Sequence, residues 1–256
     1  MIMIRQLQPG EYSKFKRALF DQLGDASLEW LYYFEKAGDK ILVYCDESFR
    51  NSMLMLQETN VLIATGSQKF LEEFLKKLDT KKGYAFRCPE WMAPMITERF
   101  RPKQGGFAGV VLLTYSTNKE KARKYSDSRY EIRILGEEDA NEVITRSGSH
   151  WDPSSIREKI RNGAFCGVYQ GNKAISWLGT IWESEKACEI GFAFTKEEHR
   201  RKGFMKILTS TIAQRILQKG KIPLFHTVET NIPVMRIAES LGYELKAREW
   251  AYFYNL

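Results

Sequence analysis

A chain of 256 residues with 43% hydrophobic and 13% aromatic content holds enough apolar side chain for two modest packed domains, which excludes disorder on a large scale. No run approaches the roughly 18 apolar residues of a spanning helix, and Met1-Ile2-Met3-Ile4-Arg5-Gln6 lacks the layout of a secretion signal, so a cytoplasmic protein with no membrane partner is expected. The formal net charge of +7 sits mostly in residues 1–129, which carry 21 Lys and Arg against 16 Asp and Glu, while residues 130–256 carry 18 against 16. Because the signs are mixed along helices such as Leu71–Leu78, solvated faces explain the excess and no nucleic-acid partner is expected. Cys45, Cys88, Cys166 and Cys188 are widely spaced and only three histidines accompany them, a pattern of buried free thiols rather than of a metal centre or a disulfide framework.

In chain order, hydrophobic alternation predicts strands over Lys40–Cys45, Ser52–Glu58 and Val61–Ala64, then a helix over Gln68–Leu78. A strand at Tyr84–Cys88, a helix at Glu90–Phe100 and a strand at Gly109–Tyr115 follow, and the polar stretch Ser116–Arg129 reads as a linker. The second half is more regular. A strand over Tyr130–Leu135 precedes helices at Glu137–Arg146 and Ser154–Arg161, the latter with Ser154 as its cap. Strands Phe165–Tyr169 and Ala174–Trp182 flank the turn at Gly171-Asn172, and a further turn at Glu183-Ser184-Glu185 leads into a strand over Cys188–Thr195. A helix over Phe204–Leu217 ends at Lys219-Gly220, a strand covers Pro223–Val228, a helix runs from Ile232 to Leu241 against Gly242, and two strands lie within Tyr243–Tyr254. The predicted class is α/β with a mixed sheet, in two domains, 1–125 and 126–256. The strand-helix-strand-helix-strand tail recurs in both halves, so the first half is either a degenerate repeat of the second or an unrelated α/β cap.

The chemistry concentrates between Thr195 and Gly203. A strand turning abruptly into a helix leaves several backbone N–H groups unpaired and aimed outward, with the helix dipole behind them, and such a terminus holds phosphate. Gly203 permits close approach, and Arg200, Arg201 and Lys202 add charge suited to a pyrophosphate or a ribose phosphate. Taken alone, a basic helix start with one glycine is a common surface feature.

In context, Glu189-Ile190-Gly191-Phe192-Ala193-Phe194-Thr195, Arg200-x-x-Gly203, Asn231 and Ala238-Glu239-Ser240-Leu241-Gly242-Tyr243 resemble the motifs of the GNAT superfamily of N-acetyltransferases over residues 130–256. Met205 and Val234 depart from the family pattern. Ser176-Trp177, the Arg200 loop and Phe225-His226-Thr227-Val228 look most like glycine N-acyltransferase-like enzymes, and the ending Ile237–Tyr243 is similar to that of zwittermicin-resistance-type acetyltransferases. Both groups carry a divergent N-terminal half. The resemblance implies a GNAT fold with a second, degenerate GNAT-like N-terminal domain. It also implies an acyl-CoA cosubstrate, acetyl-CoA by default, with no metal, and a primary amine on a small molecule or amino acid as acceptor, in a monomer or homodimer.

Carried over position by position, the resemblance assigns the cofactor pyrophosphate to Arg200, Arg201, Lys202, Gly203, Phe204 and Met205, and the pantetheine arm to Ala193, Phe194, Thr195 and Asn231. Acyl transfer needs a neutral amine, and a partly desolvated carboxylate can take its proton. Glu189, on an apolar strand eleven residues before Arg200, is the candidate base, against the alternative of a solvent-facing acid paired with a Lys or Arg. His226 could replace it or orient water, or could be a satisfied core histidine. The superfamily's usual tyrosine acid is Ala238 here. Tyr243 and Tyr252 are substitutes for that role, or packing residues, and a thiolate leaves without an acid in any case. Trp177 and Trp182, with Trp151 and Trp250 nearby, line a pocket or fill the core. A CoA-binding sensor without catalysis is the alternative function.

Overall fold

The structure, a computed structural model, describes residues 7, 9–37, 42–45, 53–57, 60–101, 109–147 and 151–254. The expected strand ends at Lys40, Ser52 and Glu58 lie outside these residues. The chain forms two compact units, one of Met1–Thr114, Thr227–Asn231 and Leu245–Leu256, the other of Tyr115–His226 and Ile232–Glu244.

The first unit opens with two helices that the sequence reading leaves unassigned, α1 (Tyr12–Leu23) and α2 (Leu28–Ala37). Phe15 and Leu19 of α1, one turn apart, pack with Trp30 and Phe34 of α2 against Val43. Strands β1 (Leu42–Cys45), β2 (Met53–Gln57) and β3 (Asn60–Thr65) pair antiparallel in sequence order. Ser67 accepts the Phe70 N–H at 3.2 Å and starts α3 (Gln68–Leu75), which returns the chain to β4 (Tyr84–Cys88), parallel to β3. Helix α3 ends at Leu75 rather than Leu78 because Lys77 and Leu78 donate to carbonyls three residues back, tightening the last turn. The segment expected as one helix from Glu90 is a single 3₁₀ turn, Glu90–Met92, followed by α4 (Ala93–Arg99), whose first turn contains Pro94. Strand β5 (Val110–Ser116) follows.

The second unit holds an antiparallel run of β6 (Glu131–Ile134), β7 (Cys166–Gln170), β8 (Lys173–Glu183) and β9 (Ala187–Thr195). Between β6 and β7 lie α5 (Ala140–Ser147), entered through a 3₁₀ turn at Glu137–Asp139, and α6 (Pro153–Arg161). Asp152, not Ser154, caps α6: its carboxylate accepts the Ser155 N–H at 2.8 Å, and Pro153 already occupies the first helical position. These helices cover one face of the sheet, where Val143, Ile156 and Ile160 pack with Phe165 and Trp177. Helix α7 (Phe204–Gln218) carries the chain across to β10 (Ile222–Val228), parallel to β9, and α8 (Ile232–Ser240) leads to β11 (Glu244–Tyr254). The two strands expected after Tyr243 are this single strand, and its distal half pairs antiparallel with β4, Trp250 opposite Cys88, so it completes the sheet of the first unit.

The two units share a plan. Three antiparallel strands, a helical crossover and a parallel strand occur as β1-β2-β3-α3-β4 and again as β7-β8-β9-α7-β10. The segment expected as a linker is docked within the second unit: Thr117 Oγ1 donates to Gly242 O at 2.7 Å, Arg123 N–H to Leu241 O at 2.9 Å, and Tyr125 N–H to Ser210 Oγ at 2.8 Å. Gly242, at φ +78°, is required here, because a Cβ would lie 1.9 Å from Lys121 O.

All four cysteines are buried free thiols, and burial pushes the thiols of Cys166 and Cys188 up to about 12. At pH 8 their thiolate fraction is therefore on the order of one in ten thousand. Iodoacetamide at pH 8 is expected to label these two residues only after denaturation, as read by mass spectrometry with and without urea.

Candidate functional site

The site begins where two parallel strands part. Strands β9 and β10 are in register over three pairs, Ile222 with Ala187, Pro223 with Cys188 and Leu224 with Glu189, after which β9 runs on to Thr195 without this partner. On its other side β9 stays paired with β8, but between Gly191 opposite Gly179 and Phe194 opposite Trp177 it holds one residue more than β8. That extra residue is a bulge, and Phe192 takes it up at φ +54°. The backbone edge of Gly191–Thr195 that faces away from β8 is thus left for another partner. The sequence reading misses the bulge, although a glycine inside an apolar strand, Gly191, is the usual mark of one.

Glu189 is buried, with 6% of its surface exposed, and its Oε1 lies 2.8 Å from His226 Nδ1. Strand geometry produces this pairing. Glu189 is level with Leu224 across β9 and β10, and His226 follows Leu224 by two residues, so all three side chains leave the same face. The solvent-facing alternative for Glu189 is thereby replaced by a desolvated carboxylate with a histidine partner.

The same alternation sends Cys188 to the opposite face, and Tyr243 follows it there, close enough to the Cys188 thiol to feel its charge. Tyr243 packs on Phe225 at 5.1 Å between ring centroids, is buried, and has its hydroxyl ionisation pushed far upward, first by desolvation. The sheet therefore separates Tyr243 from Glu189 and His226. Tyr252, in the first unit, donates its hydroxyl to Phe100 O at 2.8 Å and is a core residue. Ala238 is fully buried. Trp177 and Trp182 are core residues too, Trp177 stacking on Phe194 at 4.5 Å, and Trp250 is buried in the first unit.

Beyond Thr195 a 3₁₀ turn at Glu197–His199 leads into the basic loop. Arg201 (φ +63°) and Gly203 (φ +80°) are left-handed, and alternating handedness of this kind turns successive N–H groups toward one point. The first helical bond of α7 is donated by Ile207 to Gly203 at 3.2 Å, so the amides of the turn before it have no carbonyl within the helix, and no side chain caps them. Arg200, Arg201, Lys202 and Gly203 are exposed, while Phe204 is buried and meets Tyr130 edge-on at 4.7 Å, anchoring the helix start. Met205 is half-buried on the first turn. Ala193 is exposed, with Phe194 and Thr195 half-buried, on the unpartnered stretch of β9. Asn231, described with the first unit, directly precedes α8 and donates its N–H to Val228 O at 2.9 Å.

A separate cleft of about 190 Å³ is lined by Cys188, Thr180, Ile212, Arg215, Glu183 and Lys219. It opens on the side of β9 away from Glu189, and its cations are engaged, Arg215 by Gly163 O at 2.9 Å and Lys219 by Glu183 at 3.3 Å. It is not part of the site.

Solved structures share the overall fold of this chain. A Drosophila protein superposes with a TM-score of 0.69 at 16% identity over 98% of each chain. A GNAT-family acetyltransferase from Colwellia psychrerythraea gives 0.60 at 12% identity over 99% of this chain and 100% of its own. A GCN5-related N-acetyltransferase from Sphaerobacter thermophilus gives 0.61 at 10% identity, covering 97% and 94%. The fold is that of the GNAT acetyltransferases. Residues 165–251, from the start of β7 into β11, match the model of the FR47-like protein family. No curated protein matches the sequence.

Space around Gly203 is open, so a substitution there acts through backbone conformation alone, at about 1–2 kcal/mol for a left-handed β-branched residue. If the loop holds a cofactor phosphate as expected from the sequence, Gly203→Val weakens coenzyme A binding by about tenfold in calorimetric titration, and an unchanged affinity would overturn that expectation.

Proposed function

We propose that the protein is an acyl-CoA-dependent N-acyltransferase that moves an acyl group, acetyl by default, onto a primary amine of a small molecule or amino acid. The observation that carries this reading is the contact of buried Glu189, on the strand that parts from β10 and then runs into the basic loop, with His226 of β10. The amides of Arg201–Met205 receive the cofactor pyrophosphate, with Arg200, Arg201 and Lys202 supplying charge. The freed edge of Ala193, Phe194 and Thr195 pairs with the pantetheine arm.

The acceptor nitrogen attacks the thioester carbonyl, whose oxygen is stabilised by N–H groups of the bulged stretch of β9. The nitrogen–carbon bond forms, the carbon–sulfur bond breaks, and CoA leaves as thiolate. The amine proton passes to Glu189, whose carboxylate His226 orients through Nδ1–H. No acid is assigned to the departing thiolate, which needs none.

Within the superfamily, the reading favours the glycine N-acyltransferase-like or zwittermicin-resistance-type group, with catalysis in residues 126–256 and a degenerate GNAT-like half in residues 1–125. The recurrence of the strand and crossover plan in the first unit supports the second point. A cytoplasmic monomer or homodimer completes the reading. Met205 at the helix start and Ala238 at the usual tyrosine position favour a second reading, a CoA-binding sensor.

Thiol release from acetyl-CoA over a panel of amines separates the two. The enzyme reading expects turnover, lowered about 10²–10⁴-fold in Glu189→Gln with CoA affinity retained. CoA binding with no turnover on any amine would favour the sensor, and a Glu189→Gln enzyme as fast as wild type would remove the base assignment.

A further inference from the structure

On the face of β9 that carries Glu189, the strand places an aromatic pair. Gly191, two residues beyond Glu189, faces Gly179 across the β8 pairing, and the Phe165 ring covers Gly179, within 2.5 Å of where a Cβ would be. Phe192 lies 5.2 Å from that same ring and 4.6 Å from Trp151, so the bulge turns Phe192 to the Glu189 face in place of the alternation that would send it away. A bulky side chain at φ +54° is strained, and a glycine would sit there without cost. Packing alone gives little reason for the strain, since Phe192 and Trp151 both stay half-buried at the edge of the core that Phe165 fills. Between Glu189 and Phe192 runs about 10 Å of strand at roughly 3.3 Å per residue, the reach of an amine bearing one ring or a short alkyl chain.

We propose that Trp151 and Phe192 form the specificity wall for the acceptor, which is a primary amine with an aromatic or bulky apolar substituent. The proposal rests on the acyltransferase reading above. The ammonium end meets the Glu189–His226 pair, and the substituent lies along the two rings, where it leaves water. Glycine and small polar amines make only the first contact.

The test compares phenethylamine, ethylamine and glycine as acceptors, by thiol release from acetyl-CoA and by calorimetric binding to the CoA-loaded protein. Phenethylamine is expected to exceed ethylamine by about 10–200-fold in kcat/KM, carried mainly by KM. That ratio is expected to fall toward one in Trp151→Ala and to be largely kept in Trp151→Phe. Equal use of the three amines, a preference for glycine, or a Trp151→Ala protein that loses activity on all amines in proportion would overturn the proposal. If none is turned over, the acyltransferase reading fails on its own, and the wall is still judged by binding. Tighter binding of phenethylamine than of ethylamine, lost in Trp151→Ala, supports it, and equal or absent binding refutes it.

Discussion

The early parting of β9 from β10 is the constraint on which the rest depends. Two parallel strands that stop pairing after Leu224 and Glu189 leave a row of backbone donors and acceptors on β9 that must find partners elsewhere. The bulge at Phe192 makes the parting durable: with one residue more than β8 can match, β9 bends, and it cannot regain register with a straight neighbour. The parts of the proposed site are arranged in chain order around that bend. Glu189 lies just before it, the unpartnered edge is the bend itself, and the basic helix start is where the strand arrives.

Electrostatics divides the sheet into two unlike sides. The Glu189 side carries a buried carboxylate in contact with a half-buried imidazole, and such a carboxylate would be costly if it stood alone. The opposite side carries Cys188, Phe225 and Tyr243, where burial suppresses ionisation of both thiol and phenol. The two faces differ in this way although Cys188 and Glu189 are adjacent in sequence.

Much of this was legible in the residues. Strand and helix periods in the second half predicted β6 to α8 within a residue or two, except that the first three residues expected in α5 form a 3₁₀ turn. The helix start at Phe204 was legible from glycine and charge together. What escaped did so for local reasons. Helices α1 and α2 show few uninterrupted apolar repeats, and their largest core residues, Phe15, Trp30 and Phe34, are aromatics that also suit strands. The cap at Asp152 was hidden by Ser154 two positions later. Pro94 and the i−3 bonds at Leu78 shortened helices whose apolar pattern runs on. The Glu189–His226 contact joins residues 37 apart in sequence, and only strand register shows it. Tyr243 had the right residue type and sits on the wrong side of a sheet, a distinction that spacing does not contain.

The route of the final strand bears on how the chain comes to be folded at all. Tyr84–Cys88 are paired with Trp250–Tyr254, and the ion pairs of Arg87 reach both Glu29 and Glu249. During synthesis, then, β4 waits through more than half the chain for its neighbour, holding an open strand edge and a charge only partly compensated. Pairing over so long a sequence separation is slow, and an exposed edge invites association with other chains. The first unit to be made is the last to close. Its maturation rather than its final stability is the step at which crowding, temperature or a chaperone would govern yield.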